Sequence, residues 1–349
     1  MKNIVFFIFL YFIFNLNLIL SKKKNLKKKK KNEDLCNRID CINEACVLKM
    51  EIKEKKRDYN FYRNLPPEKY EKELKIWYKK VNKEDLDLDN PKTLNEKIQW
   101  LKLYDSTPIK TLLSDKYLVK NYIKEKIGEK YVIPLLKVWE SDEDINFDSL
   151  PNKFALKANH GSGMNIIVHN KKNFNMKRIK IAQQEWMSIN FAFRNGFELQ
   201  YMNIKPRIIA EEYVDNNNGD LYDYKAYCFD GRVESIAFVA GFKKERRIAF
   251  FDTEWNRLNY NDTYPVFEKE IPKPKKLKEM IEICKKLSKG FAFVRIDLYI
   301  LNNGDIKFGE MTFTPFSGRI VFSPLKQNRI FGDMIKLPPK SPLPKRIIK

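Results

Sequence analysis

The sequence predicts an α+β fold built on antiparallel sheets, and two stretches carry most of that expectation. From Phe291 to Ile300 the chain is apolar apart from Arg295 and Asp297. The turn cluster Asn302-Asn303-Gly304-Asp305 follows, and Ile306, Phe308 and Met311 resume the apolar character. This is the pattern of two strands joined by a tight hairpin. In the second stretch, Phe154-Ala155-Leu156-Lys157 and Ile166-Ile167-Val168 flank Gly161-Ser162-Gly163, again a strand, a turn and a strand. Helical periodicity supplies the rest. Thr93-Leu94-Asn95-Glu96 is a capping box opening a helix with Ile98, Trp100 and Leu101, and Leu277, Met280, Ile281, Cys284 and Leu287 repeat at helical spacing.

The chain begins with an uncharged apolar run, Ile4–Leu20, broken only by Asn15 and Asn17 and followed by a lysine-rich run from Ser21 to Asn32. It reads as a targeting segment over residues 1–21, either a cleaved signal peptide or a retained membrane anchor. Seventeen helical residues span about 25 Å, slightly short of a hydrocarbon core of about 30 Å, and the lysines can snorkel to complete a span. Charge bias favours a cytosolic body, whereas an ordinary signal sequence favours a luminal one, so topology stays open. Residues 22–90 read as a Lys-rich stem and helical lead-in, 91–335 as the main folded domain, and 336–349 as a Pro- and Lys-rich, disordered tail.

A formal net charge of +22 over 349 residues has two readings: attraction to an anionic glycan, lipid headgroup or phosphate, or a solvated lysine-rich surface. No basic stripe with interleaved aromatics points to nucleic acid. Cys36, Cys41 and Cys46 lie in the stem with no histidine near, which argues against zinc and leaves a stem disulfide as the better reading. Cys228 and Cys284 sit in apolar patterns and read as buried thiols. Asp85-Leu86-Asp87-Leu88-Asp89 matches the short acidic metal motif of sugar-nucleotide transferases, but an acidic loop before a helix explains it as well. Asn261-Asp262-Thr263 is a glycosylation sequon, usable only in an ER-facing chain.

The chemistry converges on charged residues placed inside apolar strands. Asp297 and Glu310, on paired strands, can point to one face. Two carboxylates held together want a cation, and oxygen-only ligands suit Mg²⁺, which fills its octahedron with phosphates and water. Arg295 shares the side of Asp297 by the period of two and is placed to hold a phosphoryl group bidentately. Lys157 interrupts an apolar strand, which demands an anionic partner. The glycine turn beside it lets backbone N–H groups approach an oxyanion. A second helix, beginning near Leu112, is expected to carry Ser114-Asp115-Lys116-Tyr117. A further helix is expected from Met176 to Phe193, then a strand running into Glu211-Glu212-Tyr213-Val214 as a hinge between lobes, where backbone groups can read an adenine edge. Asp223-Tyr224-Lys225 places another lysine among aromatics.

In order, the blocks Leu94–Lys102, Ser114-Asp115-Lys116, Leu156–Gly163, Asp223-Tyr224-Lys225, Val294–Tyr299 and Gly309-Glu310-Met311-Thr312-Phe313 resemble the TupA-like ATP-grasp family, named for teichuronopeptide biosynthesis. The resemblance covers roughly Asn90 to Asp333. It implies two α+β lobes with antiparallel sheets gripping ATP. Lys116 and Lys157 would contact ATP phosphates under Gly161-Ser162-Gly163, and Glu211, Glu212 and Val214 would line the adenine pocket. Asp297, Glu310 and Thr312 would hold Mg²⁺, Thr312 standing where many ATP-grasp enzymes have Asn. Arg295 and Lys225 would serve the transferred phosphoryl group. The implied activity is ATP- and Mg²⁺-dependent carboxylate–amine ligation through an acyl phosphate, on a cell-surface polysaccharide or glycopeptide precursor. The alternatives are a glycosyltransferase-like enzyme, an ATP-grasp kinase, and a non-enzymatic module that keeps the fold.

Overall fold

The computed structural model describes residues 57–141, 145–173, 176–214, 221–241 and 245–347. The chain divides into two units, Met1–Asn60 and Phe61–Lys349. The N-terminal apolar run, the lysine cluster and the three stem cysteines lie outside the described residues. Among the described residues no helix is long and apolar enough to cross a membrane.

The unit opens with α1 (Tyr70–Asn82), α2 (Leu94–Tyr104), α3 (Pro108–Ser114) and α4 (Val119–Lys126). The capping box starts α2 as its sequence requires, with Thr93 accepting from Glu96 N and Glu96 accepting from Thr93 N. One expectation fails here. Lys116 is not on a helix, because α3 ends at Ser114 and the Asp115 carboxylate accepts from the backbone N–H of Tyr117 and Leu118, at 2.8 and 3.2 Å. That local bond competes with helix continuation and makes a turn. The Lys116 backbone N–H instead reaches Asn159 O at 3.0 Å.

A four-stranded sheet follows, in the order β1-β4-β2-β3: β1 (Leu135–Trp139), β2 (Phe154–Ala158), β3 (Asn165–Val168) and β4 (Ile208–Glu212), all antiparallel. Phe154, Leu156, Ile208 and Ala210 fill its buried face, while Ala155 opposes Glu211 on the other, which Lys157 shares. Between β3 and β4, α5 (Met176–Ser188) stops five residues short of the expected Phe193. Asn190 accepts from Ala192 N and restarts the chain as the separate short turn Phe191–Phe193.

The second sheet has the order β7-β6-β5-β8-β9: β5 (Asp223–Phe229), β6 (Arg232–Ala240), β7 (Arg247–Phe251), β8 (Val294–Ile300) and β9 (Ile306–Thr312). Its back face, with Tyr224, Ala226, Ile296, Leu298, Phe308 and Met311, joins one apolar core with Leu277, Met280, Cys284 and Leu287 of α6 (Leu277–Ser288). The front face therefore collects the residues of opposite parity: Asp223, Lys225 and Tyr227 against Tyr299, Asp297 and Arg295, and the last two against Glu310 and Thr312.

Register on β9 depends on a bulge. Asp297 opposes Glu310 but Leu298 opposes Phe308, so Gly309 is the extra residue. A Cβ at Gly309 would lie 3.0 Å from the Asp297 carbonyl oxygen and 3.0 Å from the Tyr299 ring. Gly309→Ala is expected to cost about 1–3 kcal/mol in urea unfolding through overpacking, although alanine ordinarily stabilises a strand relative to glycine. An unchanged or raised midpoint would mean that the bulge does not hold β9 in this register.

The C-terminal helix α7 (Lys326–Asp333) packs on α2, with Asn95 Nδ2 donating to Ile320 O at 2.8 Å and Asn95 N to Asn328 Oδ1 at 3.1 Å. Residues 337–347, expected to be a disordered tail, are instead hydrogen-bonded along the unit. Ser341 N reaches Tyr104 O, Asn203 Nδ2 reaches Lys345 O, and Ile347 N reaches Asn203 Oδ1. Paired backbone groups explain the difference, since composition alone does not reveal them.

Candidate active site

The glycine loop and the α3–α4 turn form one wall. Gly161 is buried, and a Cβ there would fall 2.4 Å from Met164 Cε and 2.5 Å from the Phe191 ring, so only glycine fits without moving an aromatic side chain. Gly163 has φ +74 with nothing within 4 Å of the Cβ position, and both it and Ser162 are exposed. The loop is thus anchored at one end and open at its tip. Lys116 Nζ donates to Gly161 O at 2.6 Å and lies 3.7 Å from Glu310. This one lysine links the glycine loop of the first sheet to the carboxylate of the second.

The hinge strand β4 carries a buried ion-pair triad. Glu211 accepts from Lys157 at 2.5 Å and lies 2.6 Å from Lys120 of α4, whose ammonium also donates to Ile133 O at 2.8 Å. Burial pushes the Glu211 carboxyl up, but Lys157 and Lys120 outweigh it and hold it at about 2. The anionic partner that Lys157 needs inside an apolar strand is therefore Glu211, so the Glu211 side chain faces two lysines. Glu212 is exposed and its backbone N–H pairs with Pro134 O, while Val214 lies just past the end of β4.

The second sheet carries a charge cluster on its front face. Arg295 donates from Nε and Nη2 to the two oxygens of Asp297, both at 2.7 Å, and Nη2 also reaches Glu310 at 3.3 Å and Thr312 at 3.2 Å. Lys225 bridges Asp223 and Asp297, the second at 2.5 Å. Burial pushes the Asp223 carboxyl up, and although Lys225 pulls it down, it rests at about 6 with Asp297 adding to the rise. Burial also pushes Glu310 up, but Lys116, Arg295 and Lys225 together hold it at about 2. Lys225 is raised: burial alone would lower it, and the two aspartates prevail.

Among the described residues no three histidine, cysteine, aspartate or glutamate side chains come close enough to hold a metal by themselves. Mg²⁺ does not require them, because it usually takes one or two protein carboxylates and completes its shell with phosphates and water. Asp297 opposite Glu310, with the Thr312 hydroxyl 3.1 Å from Glu310, meets that requirement. The buried Asp223 Oδ1 with no hydrogen-bond partner adds an unmet acceptor beside them.

Several residues around the site were not singled out from the sequence. Asp223 was legible through its spacing of two from Lys225, which puts both on one face. Lys120, Lys102 and Glu198 were not, since nothing in a local window tells a buried lysine from a solvated one. Asp262, inside the sequon, is buried, receives the Tyr227 hydroxyl at 3.3 Å, and is pushed up to about 6 by burial. The sequon's Asn261 is bonded both ways to Ser323 through its backbone, at 2.9 and 2.9 Å. In the acidic run before α2, Asp87 accepts from the backbone N–H of Asp89 and Asn90 while Leu86 and Leu88 are buried, so the carboxylate closes a turn.

Comparison with known proteins found no curated sequence that matches the chain. Among solved structures, D-alanine–D-alanine ligase from Bacillus anthracis complexed with ATP aligns at 16% identity over 64% of this chain and 65% of its own, with a TM-score of 0.39. The ATP-grasp ligase PsnB, complexed with minimal precursor, Mg and ADP, aligns at 14% identity over 60% of this chain and 53% of its own, with a TM-score of 0.36. L-amino acid ligase from Bacillus licheniformis aligns at 13% identity over 61% and 46%, with a TM-score of 0.37. The chain spans less than two thirds of the length of each of these proteins. The family model described as TupA-like ATPgrasp matches residues 96–336, from α2 past the end of α7, through both sheets and the whole charge cluster. The chain belongs to the TupA-like ATPgrasp family.

Proposed function

We propose that this chain is an ATP- and Mg²⁺-dependent carboxylate–amine ligase that acts on a cell-surface polysaccharide or glycopeptide precursor. The observation that carries the reading is the front face of the second sheet. There Asp223, Asp297 and Glu310 interleave with Lys225, Arg295 and, from the opposite wall, Lys116. Such a face suits phosphoryl transfer, where the protein mainly positions groups and neutralises charge. A substrate carboxylate oxygen bonds to the γ-phosphorus as the bond to the bridging oxygen of ADP breaks. An amine then attacks the acyl carbon, losing a proton as inorganic phosphate leaves.

In this scheme Lys116 and Lys157 neutralise phosphate oxygens, and the exposed tip at Ser162 and Gly163 closes over them. Arg295, a planar fork that cannot deprotonate, steadies the transferred group, with Lys225 beside it. Adenine would lie against the backbone past β4, at Glu212 and Val214, with Glu211 behind it fixing Lys157. Asp297 and Glu310, with Thr312, would hold the metal, which when bound neutralises phosphate charge as a Lewis acid. The apolar run Ile4–Leu20 and the lysines after it support a chain that is secreted or membrane-anchored, close to such precursors.

The test is a thermal melt of the full chain with Mg²⁺ plus a non-hydrolysable ATP analogue, with a UDP-sugar as the contrasting ligand. At 100 times its dissociation constant a ligand adds roughly 2.7 kcal/mol, or roughly 4 °C for a unit of this size. The analogue should raise the melting temperature, and Asp297→Asn and Glu310→Gln should each remove the metal-dependent part. A shift with the UDP-sugar and none with the ATP analogue would replace this reading with the glycosyltransferase one.

A further inference from the structure

The cation cluster is closed on itself. Both oxygens of Asp297, which is 1% exposed, already accept from Arg295, and Lys225 shares one of them at 2.5 Å. The charges in direct ion-pair contact balance: the carboxylates of Asp223, Asp297 and Glu310 face the cations of Lys225, Arg295 and Lys116. A bare divalent cation would therefore meet little net attraction, and it would have to push a cation off Asp297 to reach an oxygen lone pair.

The two cations differ in how easily they leave. Arg295 holds Asp297 through two parallel bonds and also touches Glu310 and Thr312, so moving it breaks a whole set of contacts. Lys225 is a point charge on a flexible stem with one contact to Asp297. Its ammonium lies in a buried setting, where an unpaired charge is costly, so it leaves only if another anion receives it. Asp223 already holds it as well, and the second oxygen of Asp223 is buried without a partner, so this carboxylate can follow the ammonium as it turns.

We propose that Lys225, tethered by Asp223, is a displaceable counter-ion that makes divalent-cation binding at Asp297 conditional on a polyphosphate arriving with it. Asp223 is accordingly a positioning residue. The inference rests on the reading of Asp297 and Glu310 as the metal-holding carboxylates. Lys225 neutralises Asp297 before a cation arrives, and the incoming phosphate takes over its charge when the cation takes Asp297.

The experiment uses Mn²⁺ as probe on the full chain, followed by the paramagnetic resonance of free Mn²⁺ and by thermal melting. With Mn²⁺ alone, wild type should bind weakly and Lys225→Met at least about tenfold tighter, since the competing ammonium is gone. Lys225→Gln serves the same comparison if the methionine variant does not fold. With Mn²⁺ plus the ATP analogue, wild type should gain a melting shift, and Asp223→Asn should reduce it while leaving binding of Mn²⁺ alone as weak as in wild type. Wild type binding Mn²⁺ alone as tightly as Lys225→Met overturns the counter-ion proposal and leaves the nucleotide site standing. No shift in wild type with Mn²⁺ and analogue together overturns the nucleotide site itself.

Discussion

Glu211→Gln is expected to cost the folded chain about 3 kcal/mol at neutral pH and to flatten its acid-unfolding profile between about pH 4.5 and 2. Glu211 is 4% exposed and sits between two ammonium groups, 2.5 Å from Lys157 and 2.6 Å from Lys120. Its carboxyl falls from an ordinary 4.5 to about 2: burial opposes ionisation and the two lysines overcome it. Because the folded value lies below the unfolded one, the ionised group favours the fold. That contribution is complete above about pH 4.5 and is lost as the pH falls through about 2. A shift of this size is worth roughly 3 kcal/mol at about 1.4 kcal/mol per unit. Glutamine keeps the shape and removes the charge, which leaves the two ammonium groups repelling each other, and breaking one side of a buried pair costs about 3–5 kcal/mol by comparison with other proteins. Urea denaturation at pH 7, 4 and 2.5 checks this: the gap between wild type and variant should close toward the lowest pH. A gap that stays constant across the series would mean that Glu211 contributes shape but no charge.

That triad also marks where sequence reasoning reached its limit. A lysine inside Phe154-Ala155-Leu156-Lys157 has to find an anion, and this is visible from composition and period alone. Which anion it finds depends on β4 pairing with β2, a contact across more than 50 residues, and Lys120 joins from a helix whose periodicity marks only its apolar side. The hairpin at β8 and β9 was legible down to the facing of Asp297 and Glu310, because hydrophobic alternation and one turn cluster specify a hairpin locally. The Gly309 bulge was not, since a bulge shifts parity by one residue and leaves the apolar pattern readable on both sides of it. Lys116 was placed on a helix because its neighbours repeat at helical spacing. The side chain of Asp115 ends that helix, and this depends on geometry that the period does not record. In each case what escaped was a polar side chain answering a distant or backbone partner.

The largest such case is Lys102, and Lys102→Met is expected to cost about 1–3 kcal/mol, with the loss concentrated at the turn after β9. Lys102 is wholly buried on α2 and donates to Gln99 Oε1 at 2.9 Å, Asn195 O at 3.2 Å, Ser317 O at 2.8 Å and Ser317 Oγ at 2.7 Å. Glu198 is buried beside it and accepts from Thr314, which also receives Gln200 Nε2 at 2.8 Å. Both ends of the turn Thr314–Gly318 are therefore gripped by buried charge. Inside that turn Phe316, Ser317 and Gly318 have φ of 50, 57 and 69, a left-handed run that costs the two non-glycine residues roughly 1–2 kcal/mol each. Methionine matches the length of lysine but donates nothing, so it leaves the buried Gln99 Oε1 without its donor at about 1–3 kcal/mol, while Ser317 O keeps Gln99 Nε2 at 3.0 Å, Asn195 O keeps the Ser317 hydroxyl at 2.5 Å, and Glu198 keeps Arg319 as its counter-charge. Against this stands the cost of burying the ammonium, which pulls Lys102 from 10.5 to about 7, Glu198 opposing the fall and Arg319 adding to it. The bonds lost from Lys102 are expected to outweigh that relief. The sign of the pH dependence follows from the same shift. Between about pH 7 and 10.5 the unfolded chain holds a proton on Lys102 that the folded chain lacks, so wild type gains stability with rising pH across that window and the variant does not. The gap between them should be wider at pH 9 than at pH 6.5 in parallel urea titrations. Hydrogen exchange should quicken in residues 312–321 before it does in β5 or β8, because the turn springs back toward right-handed backbone once its grip is lost. Uniform quickening across the unit, or a gap that narrows with pH, would remove Lys102 as the support of the turn that follows Thr312.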